Sequence, residues 1–133
     1  MNLLQAVTIM PSSYTGLPVA DAFKAPNLAG VLQTSDVFSG TEFLIGNGSP
    51  EHPKLDLQKA VFAHGGSIIL HWTPGAIVVC ERINIPIRNI IKSRDVDVYN
   101  VEWLISSLEN KRLMPKTPKY MHYSSSKSEI RSD

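Results

Sequence analysis

The chain has 133 residues, 43% of them hydrophobic, which suits one globular domain with its own core. Thirteen Lys and Arg against twelve Asp and Glu leave a formal charge of +1, too little to indicate nucleic-acid binding from total charge. A single cysteine, Cys80, excludes an internal disulfide framework and a multi-cysteine zinc site. There is no apolar run of about 18 residues and no clear signal peptide, so we expect a soluble intracellular domain without a membrane partner.

The two ends of the chain differ in composition from its middle. Prolines and glycines interrupt the first 36 residues, which show no sustained hydrophobic period, and Phe23 or Leu28 is a candidate for docking on the body. Residues 111–133 are rich in Lys and Arg and include the serine run Ser124–Ser126. We predict a linker over residues 1–36, a folded domain over 37–123 and a tail over 124–133.

The folded body is predicted to begin with a strand and a helix. Phe43–Ile45 is a short apolar run closed by a Gly-Asn-Gly turn, which is typical of a buried strand. Apolar residues then recur at helical spacing from Leu57 to His64. The pair Gly65-Gly66 ends this first helix, because glycine favours the backbone conformation found just after a helix.

The second half of the body continues the alternation. Ile68–Leu70 and Ala76–Cys80 are predicted strands, separated by a Pro-Gly turn. Ile87–Lys92 is a short predicted helix, and Val96–Tyr99 alternates as a fourth strand. Asn100 can cap a third helix with an apolar stripe.

The predicted order is β-α-β-β-α-β-α, which indicates the α/β class. Strands that are apolar on both faces favour a parallel sheet that helices cover on both sides. The glycine turn, the order of the strands and Trp103 predict a four-stranded parallel sheet, with the first and third helices on one side and the second helix on the other.

Two features in this order resemble a known family. Gly65-Gly66 stands directly between the first helix and a strand, and Trp103 lies in the last helix. Both are similar to the BRCT domain, a repeat of DNA-damage-response proteins. In that family the glycine pair permits a tight turn and the tryptophan packs in the core, since glycine allows positive φ and an indole fills a large space.

The similarity is strongest to the first BRCT domain of the eukaryotic DNA ligase IV family. It covers roughly residues 23–126. The strings that share the order and spacing of that domain are Phe23–Leu28, Val37–Phe38, Glu42–Phe43, Pro53–Leu57, Ile87–Ile91 and Pro118–Met121.

The resemblance implies a role in DNA repair. Ligases of this family seal double-strand breaks in non-homologous end joining, so it implies a nuclear protein that works with a coiled-coil scaffold partner and with the Ku heterodimer on DNA ends. It also implies that any contact of this chain with DNA is weak or indirect. The first BRCT repeat is expected to help place the ligase, and to bind the scaffold only weakly.

No catalytic or metal-binding pattern is present in the sequence. None of the lysines lies in the Lys-x-Asp-Gly motif that carries the adenylate in ATP-dependent ligases, so we interpret the chain as a non-catalytic fragment of a ligase. ATP and magnesium would serve the parent enzyme, and we expect no cofactor for this chain. The histidines lack metal-ligand spacing, and no Ser-His-Asp arrangement is apparent.

Three residues are candidates for binding. Arg88 and Lys92 belong to a loose basic group between the third and fourth strands, for which a solvated face is the simpler interpretation. Trp72 is either a core residue or an exposed anchor for a partner.

An alternative function is phosphate recognition, of a phosphopeptide or of a DNA 5′-phosphate. Many BRCT domains hold phosphoserine with a hydroxyl after the first strand and a basic residue at the start of the second helix. Arg88 is near the second position and its guanidinium can bind a phosphate through two hydrogen bonds. The first position carries Gly46 or Asn47, which have no hydroxyl, unless Ser49 reaches back.

Overall fold

The computed structural model describes residues 25–126, so Phe23 and its predicted docking lie outside the described residues. Helices and strands alternate through this part of the chain. They are β1 (Glu42–Ile45), α1 (Lys54–Ala63), β2 (Ser67–Ile68), β3 (Ile77–Cys80), α2 (Ile85–Arg94), β4 (Val98–Asn100), α3 (Val101–Asn110), a 3-10 helix (Pro118–Tyr120) and β5 (Met121–Tyr123).

The strands form one sheet in the order β2-β1-β3-β4-β5. The first four are parallel, as predicted, and β1 and β3 pair through Phe43–Ile77 and Leu44–Val78. The fifth strand was not predicted. It runs antiparallel to β4 with Val98 opposite Tyr123, and its three residues are too short for a hydrophobic alternation to stand out.

The predicted second helix extends further at both ends in the structure. Asn84 caps it, because its side-chain oxygen accepts a hydrogen bond of 3.1 Å from the amide of Ile87. Pro86 fits the first turn, where its missing N–H is not needed. The helix ends at Asp95, which adopts the left-handed conformation with φ 52°.

The two sides of the sheet carry separate hydrophobic clusters. Cluster one packs α1 and α3 on one side, and cluster two packs α2 on the other, which confirms the predicted arrangement. Fully or almost fully buried members of cluster one include Phe38, Phe43, Leu57, Val61, Val79, Val101, Trp103 and Leu104, and those of cluster two are Leu44, Val78, Cys80, Ile87 and Val98.

The glycine pair makes the turn that the sequence predicts. Gly65 has φ +93° and donates to the carbonyl of Phe62, while Gly66 donates to the carbonyl of Val61. These two bonds form a Schellman motif. A Cβ on Gly66 would lie 2.6 Å from Cγ1 of Val61, so only glycine lets the chain turn so close to the core.

Trp103 is a central residue of cluster one, with 1% of its surface exposed. Its ring lies 4.3 Å from that of Tyr99, centroid to centroid. The indole Nε1 donates to the carbonyl of Met114 at 2.8 Å, and the amide of Met114 donates to Oγ of Ser107. The indole therefore fills the core and fastens the segment that follows α3.

The segment before β1 packs against the end of α1. The amide of Thr34 donates to the carbonyl of Ala63 at 2.6 Å, and that of Phe38 donates to the carbonyl of His64 at 2.9 Å. Phe38 lies in a turn and is fully buried, and Leu28 is half-buried.

Candidate functional site

The two basic candidates lie on the outer surface of α2. Arg88 and Lys92 are four residues apart, so they occupy the same face of the helix, and both side chains are exposed. Ile87 faces the sheet and is buried. The helix thus presents a short basic strip to solvent.

Trp72 lies on the same side of the sheet, in the loop between β2 and β3, and packs partly buried against cluster two. The guanidinium carbon of Arg94 is 5.1 Å from the centroid of its ring, a cation–π geometry. Arg88 is six residues before Arg94, so their backbones are separated by about 9 Å along the helix axis. The structure places Trp72 beside the end of α2 and does not show it as a projecting anchor, and its binding role stays a prediction.

An apolar cleft of about 250 Å³ lies between the start of α2 and the loop that contains Trp72. Its floor is the end of β1, where a Cβ on Gly46 would lie 2.9 Å from Cδ1 of Ile87. The absence of that Cβ brings strand and helix close together. Other lining residues are Leu70, His71, Asn89 and Ile90.

The groups that follow β1 are engaged in local hydrogen bonds. The amide of Gly46 donates to the carbonyl of Val79. Oδ1 of Asn47 accepts from the amides of Glu81 (2.8 Å) and Arg82 (3.0 Å), and its Nδ2 donates to the carbonyl of Arg82. The side chain of Asn47 thus links the loop after β1 to the loop after β3. The sequence analysis did not predict this role, for which the position of Asn47 between two glycines is the only local signal.

Ser49 does not turn toward the position where a phosphate would sit near α2. Its Oγ accepts from the amide of His52 at 3.0 Å, within the turn that leads to α1. The first turn of α2 is also occupied, because Ile87 donates to the Asn84 side chain and Arg88 donates to the Asn84 carbonyl. The Ser49 hydroxyl oxygen thus belongs to the turn before α1, and these amides in the first turn of α2 already have partners.

A second cleft, of about 460 Å³, lies near the other end of α2. Arg94, at the end of α2, and Lys116, in the segment after α3, both line it. An acidic residue offsets part of this positive charge, since Nζ of Lys116 is 2.8 Å from a carboxylate oxygen of Asp97. Lys119 lies elsewhere, with its Nζ 4.9 Å from the centroid of the Tyr120 ring.

Cys80 is a core residue at the end of β3. Its side chain is fully buried. Burial, together with the negative charge of Glu81, raises the pKa of the thiol to about 12. A thiol with that pKa is almost entirely protonated at neutral pH and is a poor nucleophile.

Residues 25–126 contain neither a metal centre nor a membrane-spanning helix. Within them, no three His, Cys, Asp or Glu side chains are grouped so as to hold a metal ion. None of the helices in that range has the length and apolar character needed to cross a bilayer.

Comparison with known proteins gives matches in both sequence and structure. A family model described as the BRCT domain matches residues 36–120. DNA ligase 4 of Gallus gallus is 33% identical over 106 residues, and that of Dictyostelium discoideum is 29% identical over 119 residues. These matches cover 77% and 88% of this chain, which spans 11% of the length of either relative.

Two solved structures share the fold. The BRCT domain of human REV1 superposes with a TM-score of 0.52 at 21% identity, covering 76% of this chain and 99% of that one. The second XRCC1 BRCT domain gives a TM-score of 0.54 at 18% identity, covering 71% and 97%.

Proposed function

The chain belongs to the BRCT domain family, and we propose that it is the interaction module that brings a DNA ligase 4 to DNA double-strand breaks in non-homologous end joining. Its membership makes it a non-catalytic module of the kind that DNA-repair proteins use for protein interaction, and such a module uses no cofactor of its own. The adenylation chemistry, with ATP and magnesium, would belong to the rest of the ligase.

One observation carries the assignment to a ligase. The match to DNA ligase 4 of Gallus gallus extends over 106 residues, which is longer than the stretch 36–120 that the general BRCT model matches. The likeness therefore extends beyond the residues that the general BRCT model matches. This longer match supports a DNA ligase 4 as the parent protein.

The proposed partners are the coiled-coil scaffold of the ligase and the Ku heterodimer on DNA ends, in the nucleus. The exposed strip of Arg88 and Lys92 offers a small charged surface, and Trp72 offers little exposed area beside it. Small interfaces with few anchors are usually transient. We expect weak binding to both partners, and a Ku contact that weakens as salt rises because exposed charges are screened.

Titration of the chain against each partner tests the proposal. We expect dissociation constants in the micromolar range or weaker, with Ku bound to DNA losing affinity for R88A/K92A. The matched control is K59A/R112A, which removes two exposed charges from α1 and from the end of α3, on the other side of the sheet. This control should bind as the unchanged chain does.

Three outcomes would contradict this assignment. Nanomolar binding to the scaffold would show that this repeat makes the main contact. Equal losses in both double variants would show that net charge, and not the strip on α2, attracts Ku. Binding to neither partner at high concentration would remove the proposed role altogether.

A further inference from the structure

The chain that follows β5 folds back over the turn between α2 and β4. The hydroxyl of Tyr123 donates to Oδ1 of Asp95 at 2.6 Å, and that of Ser126 donates to Oδ2 at 2.5 Å. The amide of Ser126 donates to the same carboxylate at 3.2 Å, and the amide of Ser125 donates to Asp97 at 2.8 Å. We call residues 123–126 the serine clasp, because its donors converge on two carboxylates.

The two carboxylates that the serine clasp contacts, those of Asp95 and Asp97, are held in place by the fold. Asp95 ends α2 in the left-handed conformation and its amide donates to the carbonyl of Ile91 at 2.9 Å. Asp97 forms the ion pair with Lys116. Ser125 is one wall of the 460 Å³ cleft that Trp72 also lines. The serine clasp therefore closes part of a cleft against the turn between α2 and β4.

We propose that Ser126 is a phosphorylation site and that its modification opens the serine clasp. A protein kinase would transfer the γ-phosphoryl group of ATP to Oγ of Ser126: the Oγ–P bond forms, the bond from phosphorus to the β-phosphate oxygen breaks, the hydroxyl proton passes to the kinase base, and ADP leaves. The product has no hydroxyl proton for Asp95 and carries close to two negative charges beside that carboxylate.

The electrostatics of the product decide the direction of the change. The unmodified hydroxyl makes a hydrogen bond to a charged acceptor, which is among the stronger kinds. The phosphate replaces it with repulsion between like charges a few ångströms apart. Release of the segment removes that repulsion and uncovers the side of the cleft that Ser125 closes.

Ser126 is exposed, and the sequence after it suits one class of enzyme. Glu129 stands three residues further on, the position at which acid-directed kinases prefer a carboxylate. In the closed clasp the hydroxyl is bound to Asp95, so the open form is the one that a kinase can use. Phosphorylation then retains that open form. This inference concerns regulation and does not depend on the proposed partners.

Hydrogen exchange of the 133-residue chain tests the effect of the phosphate. Phosphoserine is installed at Ser126, and the matched control carries it at Ser128, which has the same charge and lies outside the described residues. We expect the amides of Ser125 and Ser126 to exchange at least about tenfold faster with phosphoserine at 126 than with it at 128, while amides of β3 keep their protection.

Unchanged exchange at 125 and 126 would overturn the inference, since it would mean that the phosphate turns toward a cation such as Lys116 and the segment stays docked. Equal acceleration by phosphoserine at 128 would overturn it too, because charge anywhere in the tail would then suffice.

A kinase assay tests whether Ser126 is an acceptor. An acid-directed kinase with ATP is applied to the unchanged chain and to Asp95→Asn, which tolerates the left-handed conformation but lacks the charge that holds the clasp. We expect incorporation at Ser126 in both chains, and several-fold faster incorporation in Asp95→Asn. Incorporation only at other serines, or equal rates at Ser126, would overturn the proposal.

Discussion

The two sides of the sheet each contain one tryptophan, and the two residues have different surroundings. Trp103 in cluster one is 1% exposed and its Nε1 donates to the carbonyl of Met114. Trp72 in cluster two is half-buried, and its Nε1 is covered but finds no hydrogen-bond partner among residues 25–126. One indole is fully integrated in the core, and the other leaves a buried polar group unsatisfied.

This difference indicates that one side of the sheet contributes more to stability and the other more to binding. Cluster one is built from two helices, the glycine turn and the segment before β1, so its residues contact one another from several directions. Cluster two rests on the single helix α2, and both clefts described above open beside it. We expect cluster one to determine stability, and the α2 side to tolerate change and to supply the contact surface.

The largest expected effect on the free energy of unfolding comes from truncating the tryptophans to alanine. Trp103→Ala should lower the free energy of unfolding by about 3–5 kcal/mol, as for other buried aromatic residues. Trp72→Ala should lower it by only about 1–2 kcal/mol, because the side chain buries less surface. Urea unfolding followed by far-ultraviolet circular dichroism measures both. Equal losses would show that the two sides contribute alike.

The next largest effect is expected from adding a methyl group at two glycines that lie close to a helix, one on each side of the sheet. A Cβ on Gly66 would meet Cγ1 of Val61 at 2.6 Å, and one on Gly46 would meet Cδ1 of Ile87 at 2.9 Å. Valine is stiff at χ1 and lies in the fuller cluster, while the end of an isoleucine can shift. Gly66→Ala should therefore cost about 1–3 kcal/mol and Gly46→Ala less than about 1 kcal/mol. The reverse order would contradict the comparison.

Replacing each tryptophan by phenylalanine removes the indole N–H and also makes the ring smaller. In Trp103→Phe the carbonyl of Met114 loses its donor, so we expect a loss of about 1–2 kcal/mol. In Trp72→Phe an unpaired buried donor disappears, so the change should lie within about 0.5 kcal/mol of zero. Thermal unfolding with a matched reference resolves the two values. A loss in Trp72→Phe as large as that in Trp103→Phe would contradict the comparison.

The smallest effect is a pH dependence on the α2 side. The hydrogen bond that Tyr123 donates to Asp95 raises the pKa of the phenol, and burial and the charges of Asp95 and Asp97 act in the same direction. The folded chain thus holds this proton more tightly than the unfolded chain, in which tyrosine titrates near about 10. The associated stability is complete below about pH 10 and is lost as pH rises through the higher folded pKa.

Urea midpoints between about pH 8 and 11 test this dependence. Above about pH 10 the unchanged chain should lose stability more steeply than Tyr123→Phe, which shares the other tyrosines. Parallel profiles would show that the Tyr123 bond contributes nothing to the pH dependence.

Much of the fold could be predicted because its signals are local. The glycine pair, the cap at Asn100 and the apolar stripes of the helices each lie within one or two turns of chain. Asn100 caps α3 as predicted, with its Oδ1 accepting from the amide of Trp103 at 3.0 Å. The parallel strands and their cover by helices follow from these elements and from the rule that crossovers cover a parallel sheet.

The candidate site was less predictable, because its contacts join distant parts of the chain. Asn47 is bonded across 35 positions to Arg82, and Tyr123 across 28 positions to Asp95. Neither pair leaves a period or a motif in the sequence. The binding roles of Arg88, Lys92 and Trp72 stay predictions, which the titrations above address.

The sequence by itself determined the family, the order of the elements and the core position of Trp103, since hydrophobic spacing and glycine turns are properties of neighbouring residues. Only the tertiary structure decided that a fifth strand adds to the sheet, that Trp72 packs beside Arg94, and that the serine run is bound to Asp95 and Asp97. Strand pairing and hydrogen bonds between loops depend on which surfaces meet after the chain has folded, and local spacing does not specify that.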